Sequence, residues 1–288
     1  MQRPHTLRVA SVLIAVVGVI YMPAAWADQP PEDQEQTVCG WIAERAAFAL
    51  WSSAAGEPTP NAWRSVPGAE PVSHKTRDGR TLYGYKISAK PPQDATGPWR
   101  GFVLVAQGNA MLADQLLADL RTFTDRGVDV YVYDYRGYGH SEGNRRLKAI
   151  VSDYREIFNA LSATENNHRF LYGISFGGLV LLNVIGGGAT FDKAVIDSTP
   201  SRISHMGCPE EYDPVRNLPS DSSHLLVVSG KRDRVVEPTD TKELIAAAKS
   251  RGAQVVVSEE FAHPFMDLLS IHLQRKKMVQ DFLFAPNP

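Results

Sequence analysis

His168-Arg169-Phe170-Leu171-Tyr172-Gly173-Ile174-Ser175-Phe176-Gly177-Gly178 decides how this chain is read, and it runs on into Leu179-Val180-Leu181-Leu182. A short apolar run ending in Gly-x-Ser-x-Gly and passing straight into a helix-compatible segment is the pattern of a nucleophile elbow, a serine on a tight strand-to-helix turn. The glycines have a steric role. A serine held at a strained backbone angle needs neighbours without a Cβ two residues either side, or strand and helix collide. The same turn aims the first helical N–H groups at whatever sits over the serine.

The five-residue pattern occurs twice, because Gly139-His140-Ser141-Glu142-Gly143 matches it equally well. Context separates the two. Ser141 lies beyond its strand in a loop with Gly137 and Gly139, and Asn144-Arg145-Arg146 follows it instead of a small, apolar helix start. Ser175 is therefore the expected nucleophile.

Outward from the elbow, strand-like and helix-like segments alternate, the signature of a mostly parallel central sheet with helices on both faces. Strands are expected at 101–106, 128–133, 169–174, 193–196, 224–229 and 254–258, and helices at 112–126, 147–163, 176–185, 239–251 and 264–284. Upstream, Asp78-Gly79 predicts a hairpin between 72–76 and 81–88. Residues 57–71 read as Pro-rich connection, and the spacing of Trp41, Ala43, Ala47, Phe48 and Trp51 predicts a helix over 41–53 laid on the main domain.

The chain start has another character. Arg3 and Arg8 precede an apolar run from Val9 to Ile20, and Pro23 with Ala25-Trp26-Ala27 makes an A-x-A cleavage site before Asp28. This predicts a signal peptide over 1–27 and a periplasmic or secreted protein; an uncleaved membrane anchor is the alternative, because Val9 to Ala27 carries no charge and approaches the ~20 residues a spanning helix needs. Residues 28–36 read as a flexible leader. Cys39 and Cys208 are the two cysteines of the 288 residues, and in an oxidising compartment either they bridge or they pack as separate thiols. A net charge of −2 without charge runs argues against a nucleic-acid partner. No cofactor or metal is implied.

In sheets of this kind the ligand site lies beyond the carboxyl ends of the strands, so the loops there matter. After the strand at 101 comes Gln107-Gly108-Asn109-Ala110, where the N–H of Asn109 is placed to form, with that of Phe176, a two-donor oxyanion hole. In the loop after 133, Asp134 and Arg136 read as structural partners fixing the loop, Tyr135 or Tyr138 as pocket wall, and His140 as a bystander. Asp233, just past a buried strand in Gly230-Lys231-Arg232-Asp233-Arg234-Val235-Val236, is the expected acid, with Asp197 as its rival. His263 follows the last strand, with Pro264 expected to begin the final helix, and completes the order Ser, Asp, His. His272, inside that helix, is the weaker candidate.

Taken together, Gly173 to Gly178, Gln107 to Ala110, Asp134 to Gly143, Gly230 to Val236 and His263 resemble an α/β-hydrolase, in the branch of serine hydrolases whose oxyanion loop reads His-Gly-Asn-Ala. The resemblance covers about Val72 to the C-terminus. It implies Ser175 as nucleophile, Asp233 as acid, His263 as base and the N–H groups of Asn109 and Phe176 as oxyanion donors. Gln107 stands where that branch has histidine, which questions the loop's support more than the donor. The helix near Trp41 falls outside the match.

The implied activity is cleavage of a carboxylic ester or thioester of a small acyl substrate through an acyl-enzyme. A peptidase or amidase with the same triad, or a non-catalytic binding protein on the fold, are the alternatives. A small cap, around 198–223, points to a modest substrate, with Met206 and Tyr212 as candidate acyl-pocket residues.

Overall fold

Alternating apolar residues in strand β3, Gly101–Ala106, send Phe102, Leu104 and Ala106 to one side of a sheet and Val103 and Val105 to the other. Both sides are buried, so this strand needs a helix layer on each face, and the chain supplies them. The computed structural model describes residues 33–89, 101–164 and 168–285. The expected signal peptide over 1–27 lies outside the described residues, and among those described no helix is long and apolar enough to cross a membrane.

The remaining strands are β1 Ala69–Lys75, β2 Thr81–Ile87, β4 Asp129–Tyr133, β5 His168–Ile174, β6 Lys193–Asp197, β7 Leu225–Gly230 and β8 Gln254–Ser258. They form one sheet in the order β1-β2-β4-β3-β5-β6-β7-β8. β1 and β2 pair antiparallel, as do β2 and β4, and every pair from β4 through β8 is parallel. The hairpin is the one expected from Asp78-Gly79, with β1 starting three residues earlier than the sequence suggested.

The helices are α1 Trp41–Ala55, α2 Leu117–Leu120, α3 Leu147–Thr164, α4 Phe176–Gly186, α5 Pro238–Ser250 and α6 Leu269–Leu283. Phe48 of α1, Tyr154 of α3, Leu181 of α4 and Leu244 of α5 share the core on one face of the sheet. Leu117 of α2 and Val279 and Leu283 of α6 share that on the other. Because β4 lies on one side of β3 and β5 on the other, the winding reverses at β3. This switch point opens a crevice at the strand ends, and the elbow lies in it.

Three expectations need correction. The helix expected over 112–126 is broken into α2 flanked by 3₁₀ turns. The hydroxyls of Thr122 and Thr124 donate to the carbonyls of Asp119 and Arg121, three residues back, and so compete with the regular ladder. The last helix does not start at Pro264: Phe265 takes φ 67°, the N–H of Met266 donates to His263 O at 2.8 Å, and α6 begins only at Leu269. Finally, the flexible leader is anchored at Glu35, whose carboxylate pairs with Arg80 at 3.0 Å and Arg136 at 3.2 Å and accepts from Asn144 N at 3.0 Å.

Candidate active site

Ser175 sits between β5 and α4 with φ 54° and ψ −116°, a conformation that costs a non-glycine residue on the order of 1–3 kcal/mol. The glycines around it are a steric requirement. A Cβ on Gly177 would lie 1.9 Å from Ala106 O, at the end of β3, and one on Gly173 would lie 2.5 Å from the Cα of Gly178. The backbone itself holds the turn, since Ser175 N–H donates to Asp197 O at 2.7 Å and Thr199 Oγ1 donates to Ser175 O at 2.9 Å.

Asp233 follows β7 and His263 follows β8, at the same edge of the sheet as Ser175. His263 Nδ1 lies 2.9 Å from Asp233 Oδ2. The other carboxylate oxygen of Asp233 accepts from the N–H groups of Val235 and Val236, both at 2.9 Å. Burial pushes this carboxyl up, yet the bonds from His263, Val236 and Val235 prevail and hold it below the usual carboxylate value. Asp233 thus stays ionised beside the imidazole, and a carboxylate there accepts the Nδ1 proton and leaves Nε2 to act as a base.

Asp197, the rival acid, is engaged elsewhere. It is fully buried, its Oδ1 pairs with Arg275 of α6 at 3.2 Å, and burial pushes its carboxyl up. Arg275 also donates to Ala262 O at 2.6 Å, pairs with Asp267 at 3.0 Å and lies over the Phe261 ring at 4.3 Å. Asp267 in turn accepts from Ala262 N at 2.6 Å. One arginine thereby clamps the loop that carries His263 from both sides. Sequence reading missed it, because an arginine in mid-helix carries no local signal of a partner 78 positions away.

On the other flank, Gly108 stands so close to the elbow that its Cβ would come within 4.0 Å of Ser175 Cβ. Gln107 supports this loop. Its side chain is fully buried, with Nε2 donating to Tyr133 O at 2.9 Å and Oε1 accepting from Tyr154 OH at 3.2 Å, while Tyr135 OH donates to Gln107 O at 2.6 Å. Tyr135 and Tyr138 are therefore scaffold under the site rather than pocket wall. Asp134 and Arg136 both fix their loop, through different partners: Asp134 accepts from Ala113 N at 2.7 Å, and Arg136 pairs with Asp153 and Asp78. His140 is exposed, and His272 pairs with Asp119 at 2.9 Å.

Ser175, Asn109 and Phe176 line one cleft of about 430 Å³, together with cap residues 200–203, His205 and Met206, and with Val235, Val236, Thr239, Asp240 and Glu243. The cap consists of three single 3₁₀ turns, Ser204–Met206, Glu210–Tyr212 and Pro214–Asn217, organised by Asp213. This buried carboxylate accepts from Ile203 N, Ser204 N and Ser204 Oγ, each at 2.8 Å. Met206 reaches the cleft as expected, whereas Tyr212 packs inward against the core.

Helix α1, unexplained by the sequence, lies against the elbow. Phe48 and Trp51 meet the Phe176 ring at 5.6 Å and 6.1 Å, and Tyr135 meets it from below at 5.4 Å. Glu44 ties the helix start: its carboxylate accepts from Val38 N, Cys39 N and Leu147 N. Cys39 and Cys208 form a disulfide, so the bridged alternative holds and α1 is covalently joined to the cap.

Comparison with known proteins bears on the fold. Residues 97–212 match the family model described as serine aminopeptidase, S33. The Escherichia coli (strain K12) protein YfhR is 27% identical over 248 residues, spanning 80% of this chain and 84% of its own. Among solved structures, an alpha-beta hydrolase from Vibrio vulnificus superposes with a TM-score of 0.64 at 17% identity, covering 89% of this chain and 98% of its own. An esterase from Pyrococcus furiosus does so with a TM-score of 0.60 at 17% identity, covering 80% and 96%.

Proposed function

We propose that this chain, which has the α/β-hydrolase fold, is an exported serine hydrolase that cleaves a carboxylic ester or thioester. One observation carries this reading: a serine in a strained turn at the N-terminus of α4 shares a strand edge with His263 hydrogen-bonded to an ionised Asp233.

In this mechanism His263 Nε2 removes the Ser175 proton as Oγ attacks the acyl carbonyl carbon. The tetrahedral oxyanion accepts from the N–H groups of Asn109 and Phe176, each worth on the order of 3 kcal/mol in the barrier. Collapse breaks the bond to the leaving group, which takes the proton from His263. Water, deprotonated by the same imidazole, then frees the acid from the acyl-enzyme. Asp233 orients the ring and stabilises the imidazolium. Export is supported by the disulfide, which persists in oxidising compartments.

The family description favours a second reading, an aminopeptidase. Such a site needs a carboxylate free to hold a substrate ammonium. Both acidic side chains of the cleft are engaged, Asp240 by Glu237 N at 3.0 Å and Glu243 by Arg202 at 2.7 Å, which favours the ester. Parallel assays on p-nitrophenyl esters and peptide anilides separate the two readings. A fluorophosphonate probe is expected to label the wild type and leave Ser175→Ala unlabelled; labelling of that variant at the wild-type rate would overturn the assignment.

A further inference from the structure

Beside the cleft lies a second cavity of about 230 Å³, bounded by α1, the start of α4, the cap and the Cys39–Cys208 bridge. Trp51, Phe176, Leu179, Ile203 and Met206 line both spaces, so the two adjoin across the start of α4 and the cap. Ala47 and Phe48 form the wall on the α1 side. Glu44 is the one charged residue there, and its oxygens are already taken up by three backbone N–H groups. The chamber offers no polar group to orient a ligand; the cleft holds those.

We propose that this chamber seats the acyl chain of the substrate, and that the preferred substrates are esters or thioesters of unbranched medium-chain acids, hexanoyl to decanoyl. The inference rests on the ester-hydrolase reading and adds to it the class of acid released. Three observations select the occupant. The lining is apolar, so a chain that leaves water for it gains with every methylene, by about fourfold in kcat/KM. The volume exceeds the ~150 Å³ that accommodates a benzene ring, so it has room for a chain well beyond acetyl. Phe176 and Leu179, one and four residues after Ser175 in α4, line both spaces, so an acyl carbon bound to Ser175 Oγ lies beside the second one. Helix α1 thereby acquires a role. It is the far wall of an acyl site, held by a disulfide to the cap that forms the near wall.

The test is a p-nitrophenyl ester series from acetate to palmitate on the full mature chain, with Ala47→Trp and Met206→Trp filling the chamber from opposite walls. In the wild type, kcat/KM is expected to climb from acetate to octanoate and then level off. In each variant the octanoate-to-acetate ratio is expected to fall at least tenfold, chiefly through KM. An unchanged ratio in variants with wild-type circular dichroism would overturn the proposal. Because either tryptophan can prevent folding, wild-type crystals soaked with 8-bromooctanoate supply a readout without variants or turnover. Bromine in the chamber supports the proposal, and bromine elsewhere or nowhere overturns it. Failure of all esters to react, with Ser175 unlabelled by fluorophosphonate, would instead count against the hydrolase reading, and the bromine position would still read the chamber.

Discussion

Two stretches of this chain carry the same five-residue pattern, and their fates are opposite. Ser141 and Ser175 are equally shielded, each with 6% of its surface exposed, so accessibility does not tell them apart. Backbone and partners do. Ser141 Oγ donates to Asp134 O at 2.9 Å and accepts from Tyr83 N at 2.9 Å, so its hydroxyl is spent on tying the 134–143 loop to β2. Ser175 is forced to φ 54° between a strand and a helix packed too closely for any side chain at Gly177, and it lines the cleft. Of the two, only the serine pressed by strand and helix from both sides keeps its hydroxyl for the cleft, as the proposed nucleophile must.

Substitutions at the two serines test that contrast most sharply. Ser175→Ala is expected to lower ester turnover on the order of 10⁶-fold with the melting temperature little changed. Asp233→Asn should follow, at about 10⁴-fold in kcat, because an amide leaves His263 without an ionised acceptor at Nδ1. Ser141→Ala should do the reverse of Ser175→Ala: stability falls by roughly 1–3 kcal/mol in chemical denaturation as Tyr83 N–H loses its acceptor, while kcat of the folded enzyme stays at the wild-type level. A Ser141→Ala enzyme that is stable but inactive would break the comparison.

The last test concerns pH, and again the two regions differ in sign. Asp134, beneath the Ser141 loop, has its carboxyl pushed up by burial and by the nearby Asp114 charge, against the Ala113 N–H, from 3.8 to about 7. The folded state then binds more protons than the unfolded state across that window, so this group's stability contribution is complete below pH 3.8 and is lost as pH rises to about 7. Asp233 has the opposite shift, so its contribution is present above its unfolded value and is lost in acid. Denaturant midpoints from pH 4 to 8 are expected to fall less steeply in Asp134→Asn than in the wild type. A slope equal to that of the wild type would place the shift elsewhere.

Much of the centre of this fold was legible because its signals are local. The elbow is read from glycines that steric contact demands, and strands β3 to β7 from short apolar runs buried on both faces. Chain order and loop position pointed to Asp233 and His263 as a pair, and His263 Nδ1 does lie 2.9 Å from Asp233 Oδ2. What stayed hidden depends on distant partners. Nothing in 41–55 announces that Phe48 and Trp51 pack on Phe176, since the helix's apolar stripe is weak and its neighbours lie more than a hundred residues on. Pro264 misled because proline suits a first helical turn, whereas here it precedes a turn at Phe265 that positions Asp267 under the histidine loop. The Arg275 clamp and the anchoring of Glu35 were invisible for the same reason.

That clamp makes the tail of the polypeptide part of the chemistry. With α6 absent, Ala262 and Asp197 lose their shared cation, and the segment bearing the imidazole is left with its bonds to Asp233 and Asp267. A truncation ending before Arg275 should therefore silence the enzyme even though it spares every residue that touches the substrate.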